Sequence, residues 1–432
     1  MKPCTHDAVP GSGTLAASPV PQLLMDRRHD IDTLRVIAFA LLILYHVGMV
    51  YVVDWGFHIK SPTLLAWAEW PMVLVNRWRM SLLFLLSGIA LGLVLARKSP
   101  ARLLGNRSWR LLLPLVFGIV AIVPVQAWCE ARMLGTWDAD FGSFLLRYLQ
   151  LRPWPPGTFT GGEYGLTWNH LWYLPYLWVY SMLALLALPV LRAIGGSRIA
   201  GWLTTRGRWL LWTVPALWYL FSLWVLDPRF PSTHALVGDW FNHARYFVVF
   251  AFGLLVARSD TFWSALLRRR VRLLWLASGS AALYLALRAM GAWLPDAAYL
   301  ELMPLDAWRG VMRVIQTVYW WTALLALLAW SARLLNRPSP WLRYASEAVY
   351  PWYILHQSLI VLAAYWLIPL GLGPLWEPLL VLALTVAGCL LIHELLIRRI
   401  RWLRPLFGLP MHARAPAARP VRAAPSHPLR SP

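Results

Sequence analysis

The sequence predicts an all-α protein, a polytopic bundle of about ten transmembrane helices with both termini on the cytoplasmic side. Of its 432 residues 59% are hydrophobic, including 29 tryptophans, and only 14% are charged, a composition too apolar for the surface of an ordinary soluble domain. The apolar residues are gathered into stretches near the ~20 residues that a bilayer core of about 30 Å requires. Alternate connections are strongly basic. Those at 97–110, 192–208, 258–272 and 333–343 hold 17 Lys or Arg, against 7 in those at 54–79, 130–167, 227–239, 294–308 and 369–374. The positive-inside rule turns the first group to the cytoplasm, and an even number of spans brings both termini there.

The first span, 33–53, follows residues rich in Pro, Ser, Gly and Ala; no compact apolar core with a small-residue cleavage site precedes it, so it reads as an uncleaved anchor. The second, 80–96, carries Ser87, Gly88 and Gly92, whose small side chains let another helix come close. The third, 111–129, is entered through Arg107 and Arg110, and the fourth, 168–191, opens on Trp168-Asn169-His170. Spans five to eight, at 209–226, 240–257, 273–293 and 309–332, place Trp240, Trp293 and Trp308 near outer ends, as interfacial anchors do. The ninth, 344–368, contains His356, and the tenth, 375–397, ends beside His393 and Glu394. The domain plan is a disordered cytoplasmic tail at 1–28, a membrane domain at 29–408, and a disordered basic Pro/Ala-rich tail at 409–432.

The net charge of +21 is mostly arginine of the cytoplasmic face, which suits anionic lipid and an anionic cosubstrate rather than nucleic acid. Cys4, Cys129 and Cys389 are scattered outside any metal or disulfide spacing, so neither zinc nor a disulfide is expected. The sequence leaves the oligomeric state open.

Arg35 and His46 stand eleven residues apart in the first span. Eleven helical steps close about three turns, which puts both side chains on one face, ~16 Å apart along the axis. Ionisable groups inside a bilayer usually turn to a polar cavity in the bundle. Spacing alone also allows an Arg35 paired with Asp32 and a satisfied core histidine. Arg107 and Arg110 share a helix face and make a fork for phosphate oxygens, or serve as ordinary positive-inside residues. Arg79 falls at the predicted outer mouth of the second span, where the positive-inside rule does not ask for it, near Asp138, Asp140, Glu163 and Asp239. His170 falls at the outer water boundary. His356 lies roughly as deep as His46, about 18 Å against 20 Å from the inner surface, so the two can face one cavity.

Together these signals resemble the acyltransferase 3 family of integral membrane acyltransferases over about residues 29–408. Its Arg-x10-His motif is matched by Arg35 and His46, and its Arg-x-x-Arg motif by Arg107 and Arg110. The Arg79-to-Gly88 run, Asn169-His170-Leu-Trp172-Tyr173-Leu, His356-Gln357 and the closing Leu406-Phe407-Gly408 look most like the branch containing glucans biosynthesis protein C, implicated in succinylating periplasmic glucans. One departure is the absence of the Glu that many sugar-modifying relatives carry after a Trp-Ser/Thr-Leu motif.

The resemblance implies a multi-pass protein of the cell inner (cytoplasmic) membrane that moves a succinyl or acetyl group from cytoplasmic acyl-CoA to a hydroxyl of an envelope carbohydrate or glucan. The cysteine and carboxylate pattern implies no tightly bound cofactor and no metal. Arg107 and Arg110, with Arg35, are expected to hold the CoA moiety; His46 and Arg35 are the catalytic candidates, with His46 acting as general base or transient acyl carrier. Arg79, His170 and His356 are the candidates for binding the acyl group or the acceptor. A secondary transporter or flippase for an anionic or glycan substrate also suits ten spans with intramembrane Arg and His. The lack of an internal repeat and the paired arginine motifs favour the enzyme.

Overall fold

The computed structural model describes residues 28–95, 99–195, 209–293 and 304–411, and every regular element among them is helical. The helices are α1 (His29–Tyr51), α2 (Glu69–Leu95), α3 (Pro100–Phe117), α4 (Val123–Met133), α5 (Phe141–Tyr148), α6 (Tyr173–Leu186), α7 (Leu188–Gly195), α8 (Leu210–Val225), α9 (Trp240–Val256), α10 (Asp260–Trp293), α11 (Leu305–Leu334), α12 (Pro340–Leu367), α13 (Gly373–Leu391) and α14 (Leu403–Leu406). Nine of the predicted spans fall mainly on one continuous helical run each, and the fourth, 168–191, divides at Ala187 between α6 and α7 after a short 3₁₀ turn. Seven helices among the described residues are long and apolar enough to cross a membrane, while α8 and α9 are shorter, with 16 and 17 residues. Most of both predicted tails, 1–27 and 412–432, lies outside the described residues.

Several helices begin before their predicted spans, for local reasons. Ser99-Pro100 opens α3 and Ser339-Pro340 opens α12, with a proline whose fixed φ and missing N–H suit the first turn. Glu69 and Pro71 likewise occupy the first turn of α2, eleven residues ahead of the predicted start. Local contacts continue to both ends of the described residues. Arg28 packs on the Trp263 ring at 3.8 Å and pairs with Asp30 at 2.6 Å, and Arg404 donates to the Pro410 carbonyl at 2.8 Å. Buried apolar surface holds those ends, which tail composition does not reveal.

Between α3 and α4 the helix widens into a π-turn at Gly118–Ile122, just before Pro124, which has no N–H for the regular ladder. The Ile122 carbonyl there accepts Ser358 Oγ at 2.9 Å, tying the turn to α12. The predicted outer connection 130–167 is itself built: Asp140 caps α5 by accepting the Ser143 N–H at 3.1 Å, and Phe144, Tyr148, Trp154 and Phe159 pack with Ala127 and Ala131 of α4.

The small residues of α2 receive α9. A Cβ on Gly88 would lie 2.0 Å from the Phe250 carbonyl oxygen, and one on Gly253 would lie 2.4 Å from that of Leu85. Gly88→Ala must push these backbones apart, at a cost of about 1–3 kcal/mol. We expect it to lower the melting temperature in detergent, whereas Gly279→Ala in α10, with nothing within 4 Å, is expected to leave it unchanged or raise it. Equal melting of the two variants would contradict this packing.

Candidate active site

Helix α1 carries Arg35 and His46 through the bundle, and α12 runs beside it. His46 Nδ1 lies 2.8 Å from His356 Nε2, with the rings stacked 8° from parallel and 5.1 Å apart. The tautomers follow from the backbone. His356 Nδ1 lies 2.8 Å and 3.1 Å from the carbonyl oxygens of Tyr353 and Trp352, so it carries the proton. Neutral His356 then accepts at Nε2, His46 donates from Nδ1, and His46 Nε2 keeps its lone pair. Among the described residues that nitrogen makes no hydrogen bond. An apolar cavity of about 160 Å³ between α1 and α12, bordered by Phe39, Ile43, Trp352 and Tyr353, reaches His356 of this pair. At about 30 Å³ for a water-sized group, it has room for an acyl group of a few carbons.

The third predicted histidine joins them. His170 is buried, 6% exposed, rather than at the water boundary, because the chain turns inward in a short 3₁₀ segment, Asn169–Trp172, before α6. Its ring meets His356 edge-on at 5.2 Å, its Nε2 donates to the Ile354 carbonyl at 3.1 Å, and its Nδ1 accepts from Gln126 Nε2 at 3.2 Å. Gln126 also donates to Ser358 Oγ at 2.7 Å and accepts from Asn169 and Gln357, each at 3.2 Å.

Arg79 is not at an outer mouth beside Asp138, Asp140, Glu163 and Asp239. With α2 beginning at Glu69, it lies about 15 Å inside the helix and turns into the bundle. Its guanidinium carbon stands 3.3 Å from the centre of the Tyr45 ring, one residue before His46. Its Nε and Nη1 are buried without a hydrogen-bond partner among the described residues. It acts electrostatically on both His46 and His356.

At the other end of α1, Arg35 forms an ion pair with Asp32 at 3.6 Å. It shares an electrostatic neighbourhood with Arg107 and Arg110 of α3 around Tyr173 and Tyr350. Arg107 has no ion-pair partner among the described residues. Arg110 is held from the closing segment, donating from Nε to the Gly408 carbonyl at 3.2 Å, and Tyr350 donates to the Arg110 carbonyl at 2.8 Å. Gly408 is required there: its φ is +74°, and a Cβ would fall 2.0 Å from the Tyr350 ring.

A buried polar cluster that the sequence reading missed adjoins the histidines. His58, in the connection after α1, lies 2.5 Å from Glu130 of α4, and both side chains are under 10% exposed. The sequence held one signal for it, Gln126 and Glu130 four residues apart and so on one helix face.

The chain belongs to the acyltransferase 3 family. The family's acyltransferase domain matches residues 28–394, the span that holds every histidine and arginine of this site. No curated protein and no solved structure matches the chain. Family membership and the apolar helices support a membrane acyltransferase, and nothing in either favours a transporter.

Proposed function

We propose that this protein transfers a short acyl group, succinyl or acetyl, from cytoplasmic acyl-CoA to a hydroxyl of a periplasmic or cell-envelope carbohydrate, an osmoregulated periplasmic glucan being the acceptor closest to the sequence pattern. In this reading the chain crosses the cell inner membrane ten times with both termini cytoplasmic, so that Arg35, Arg107 and Arg110 face the cytoplasm. The observation that carries the reading is the His46–His356 pair at 2.8 Å, standing between that arginine cluster and the polar cluster at the opposite end.

The arginines hold the phosphates of CoA by charge-assisted, geometrically matched hydrogen bonds, and the acyl end of the donor enters the cavity between α1 and α12. His356, fixed by two backbone carbonyls, holds His46 in the tautomer that offers Nε2. That nitrogen attacks the thioester carbon: a C–N bond forms, the C–S bond breaks, and CoA leaves as a thiolate. Arg79 supplies unspent N–H donors beside the reaction centre, suited to a succinyl carboxylate. His170 and Gln126 form the wall toward the acceptor.

The test is thioester turnover by the purified protein. Release of free CoA that depends on an added glucan, with the mass of the acyl group appearing on it, supports the reading; movement of a glycan across a vesicle without CoA release would sink it. Arg79→Gln is expected to reduce succinyl transfer more than tenfold relative to acetyl transfer, because only succinyl loses a charged hydrogen bond of about 1.5–3 kcal/mol. Comparing kcat/KM for the two donors decides this, and equal losses would remove the succinyl assignment.

A further inference from the structure

Once His46 Nε2 carries an acyl group, that nitrogen cannot also take the proton of the attacking hydroxyl, and His46 Nδ1 is engaged with His356. Transfer to an alcohol therefore requires a second base. We propose that His58, held by Glu130, is the base that activates the acceptor hydroxyl. This inference rests on the acyl-transfer reading given above.

The pair is built for that work from three segments of chain. Lys60 donates to the carbonyls of Met49, Val52 and Trp55, clamping the connection that carries His58 onto the C-terminal end of α1, where a cation is favourable. Glu130 Oε2 accepts a hydrogen bond from His58 Nδ1 at 2.5 Å, while its Oε1 accepts the Thr160 N–H at 2.9 Å and the Thr160 hydroxyl at 2.7 Å. With all its hydrogen bonds fixing it as a carboxylate, Glu130 sets the His58 tautomer and balances the charge that His58 gains on protonation, as a carboxylate does for the base of a hydrolase triad.

The opposite ring nitrogen, His58 Nε2, carries the lone pair and accepts from Gln357 Nε2 at 3.0 Å. Gln357 also donates to Gln126 at 3.2 Å, so an incoming hydroxyl can take its place at His58 while Gln357 stays bonded. Phe57 touches both centres, its ring stacked on His46 at 6.3 Å and next to His58 at 5.2 Å. His58 and His46 thus share one aromatic neighbour. It is also part of the charge environment of His46.

In the step, the hydroxyl oxygen bonds to the acyl carbon as the C–N bond breaks, its electron pair returns to His46 Nε2, and the hydroxyl proton passes to His58 Nε2. The His58 proton then leaves to water on the acceptor side. The CoA thiolate is protonated from water on the donor side.

The experiment compares hydroxyl acceptors with hydroxylamine, which is a neutral nucleophile at pH 7 and needs no base. The purified full-length protein is supplied with acetyl-CoA or succinyl-CoA. Thioester loss to water and to a β-linked glucose oligosaccharide is measured beside hydroxamate formation. His58→Gln and Glu130→Gln are expected to lose at least about a hundredfold with the hydroxyl acceptors and to keep hydroxamate formation within about threefold of wild type. Parallel loss of both, or retention of both, would overturn the proposal.

Preserved hydroxamate formation reports that a variant is folded. Should His58→Gln or Glu130→Gln fail to fold, Glu130→Asp keeps the carboxylate and is expected to lose about tenfold with hydroxyl acceptors alone; a matching loss of hydroxamate formation there would overturn it too. Wild-type protein that consumes no thioester with any acceptor would instead reject the acyltransferase reading itself.

Discussion

His46→Ala is expected to reduce acyl transfer by about a thousandfold or more, to hydroxylamine as well as to hydroxyl acceptors. The size follows from the role, since removing a nucleophile or base typically costs 10²–10⁴-fold and no neighbouring group can replace His46 Nε2. His356 is not a substitute: its Nδ1 is committed to the carbonyls of Tyr353 and Trp352, and its Nε2 would be left without the proton it accepts from His46. That orphaned acceptor costs about 1–3 kcal/mol of stability, so the variant should melt somewhat lower yet remain folded. His356→Ala leaves His46 in place but frees its tautomer and ring orientation, and a smaller loss is expected. Near-normal transfer by His46→Ala would remove that residue from the mechanism.

The second large effect is expected at the arginine cluster. Replacing Arg107 and Arg110 together by Gln should raise KM for acyl-CoA by about a hundredfold or more, from two charged contacts of about 1.5–3 kcal/mol each, with a much smaller change in KM for the acceptor. Arg107 is the stronger half of this prediction, having no ion-pair partner among the described residues. Arg35→Lys separates geometry from charge: it keeps the cation but loses the planar fork, and a loss of tenfold in kcat/KM would identify bidentate recognition. If the double variant changes only insertion or expression, the pair serves orientation in the membrane and does not bind the donor.

Much of the site was legible because certain residue types are conspicuous in lipid. An arginine or histidine within an apolar stretch marks itself, so His46, Arg35 and His356 stood out along with the Arg107–Arg110 pair. Arg79 was found but misplaced. The polar and aromatic residues around it, Asn76 to Arg79, look like a connection by hydropathy, yet Glu69 and Pro71 had already begun the helix, and helix boundaries obey capping chemistry more than hydropathy. His58 and Glu130 were missed because each sits near the end of an apolar stretch, where charge is cheap and a polar residue carries little information. Their partners, Thr160 for Glu130 and Gln357 for His58, come from distant parts of the chain.

By itself, then, the sequence determined that this protein is helical, that it lives in a bilayer, and which side chains are out of place in lipid. These follow from composition, periodicity and the cost of burying charge, all of which act within one segment of chain. Only the tertiary structure decided which of those side chains meet. His46 and His356 are 310 residues apart and touch; His58 finds Glu130 across 72 residues; Arg79 finds the face of Tyr45 in place of a carboxylate. Apolar helices of similar length are interchangeable by periodicity alone. Their neighbours are chosen by close-packing contacts such as Gly88 against the Phe250 carbonyl and by polar groups that must satisfy one another away from water.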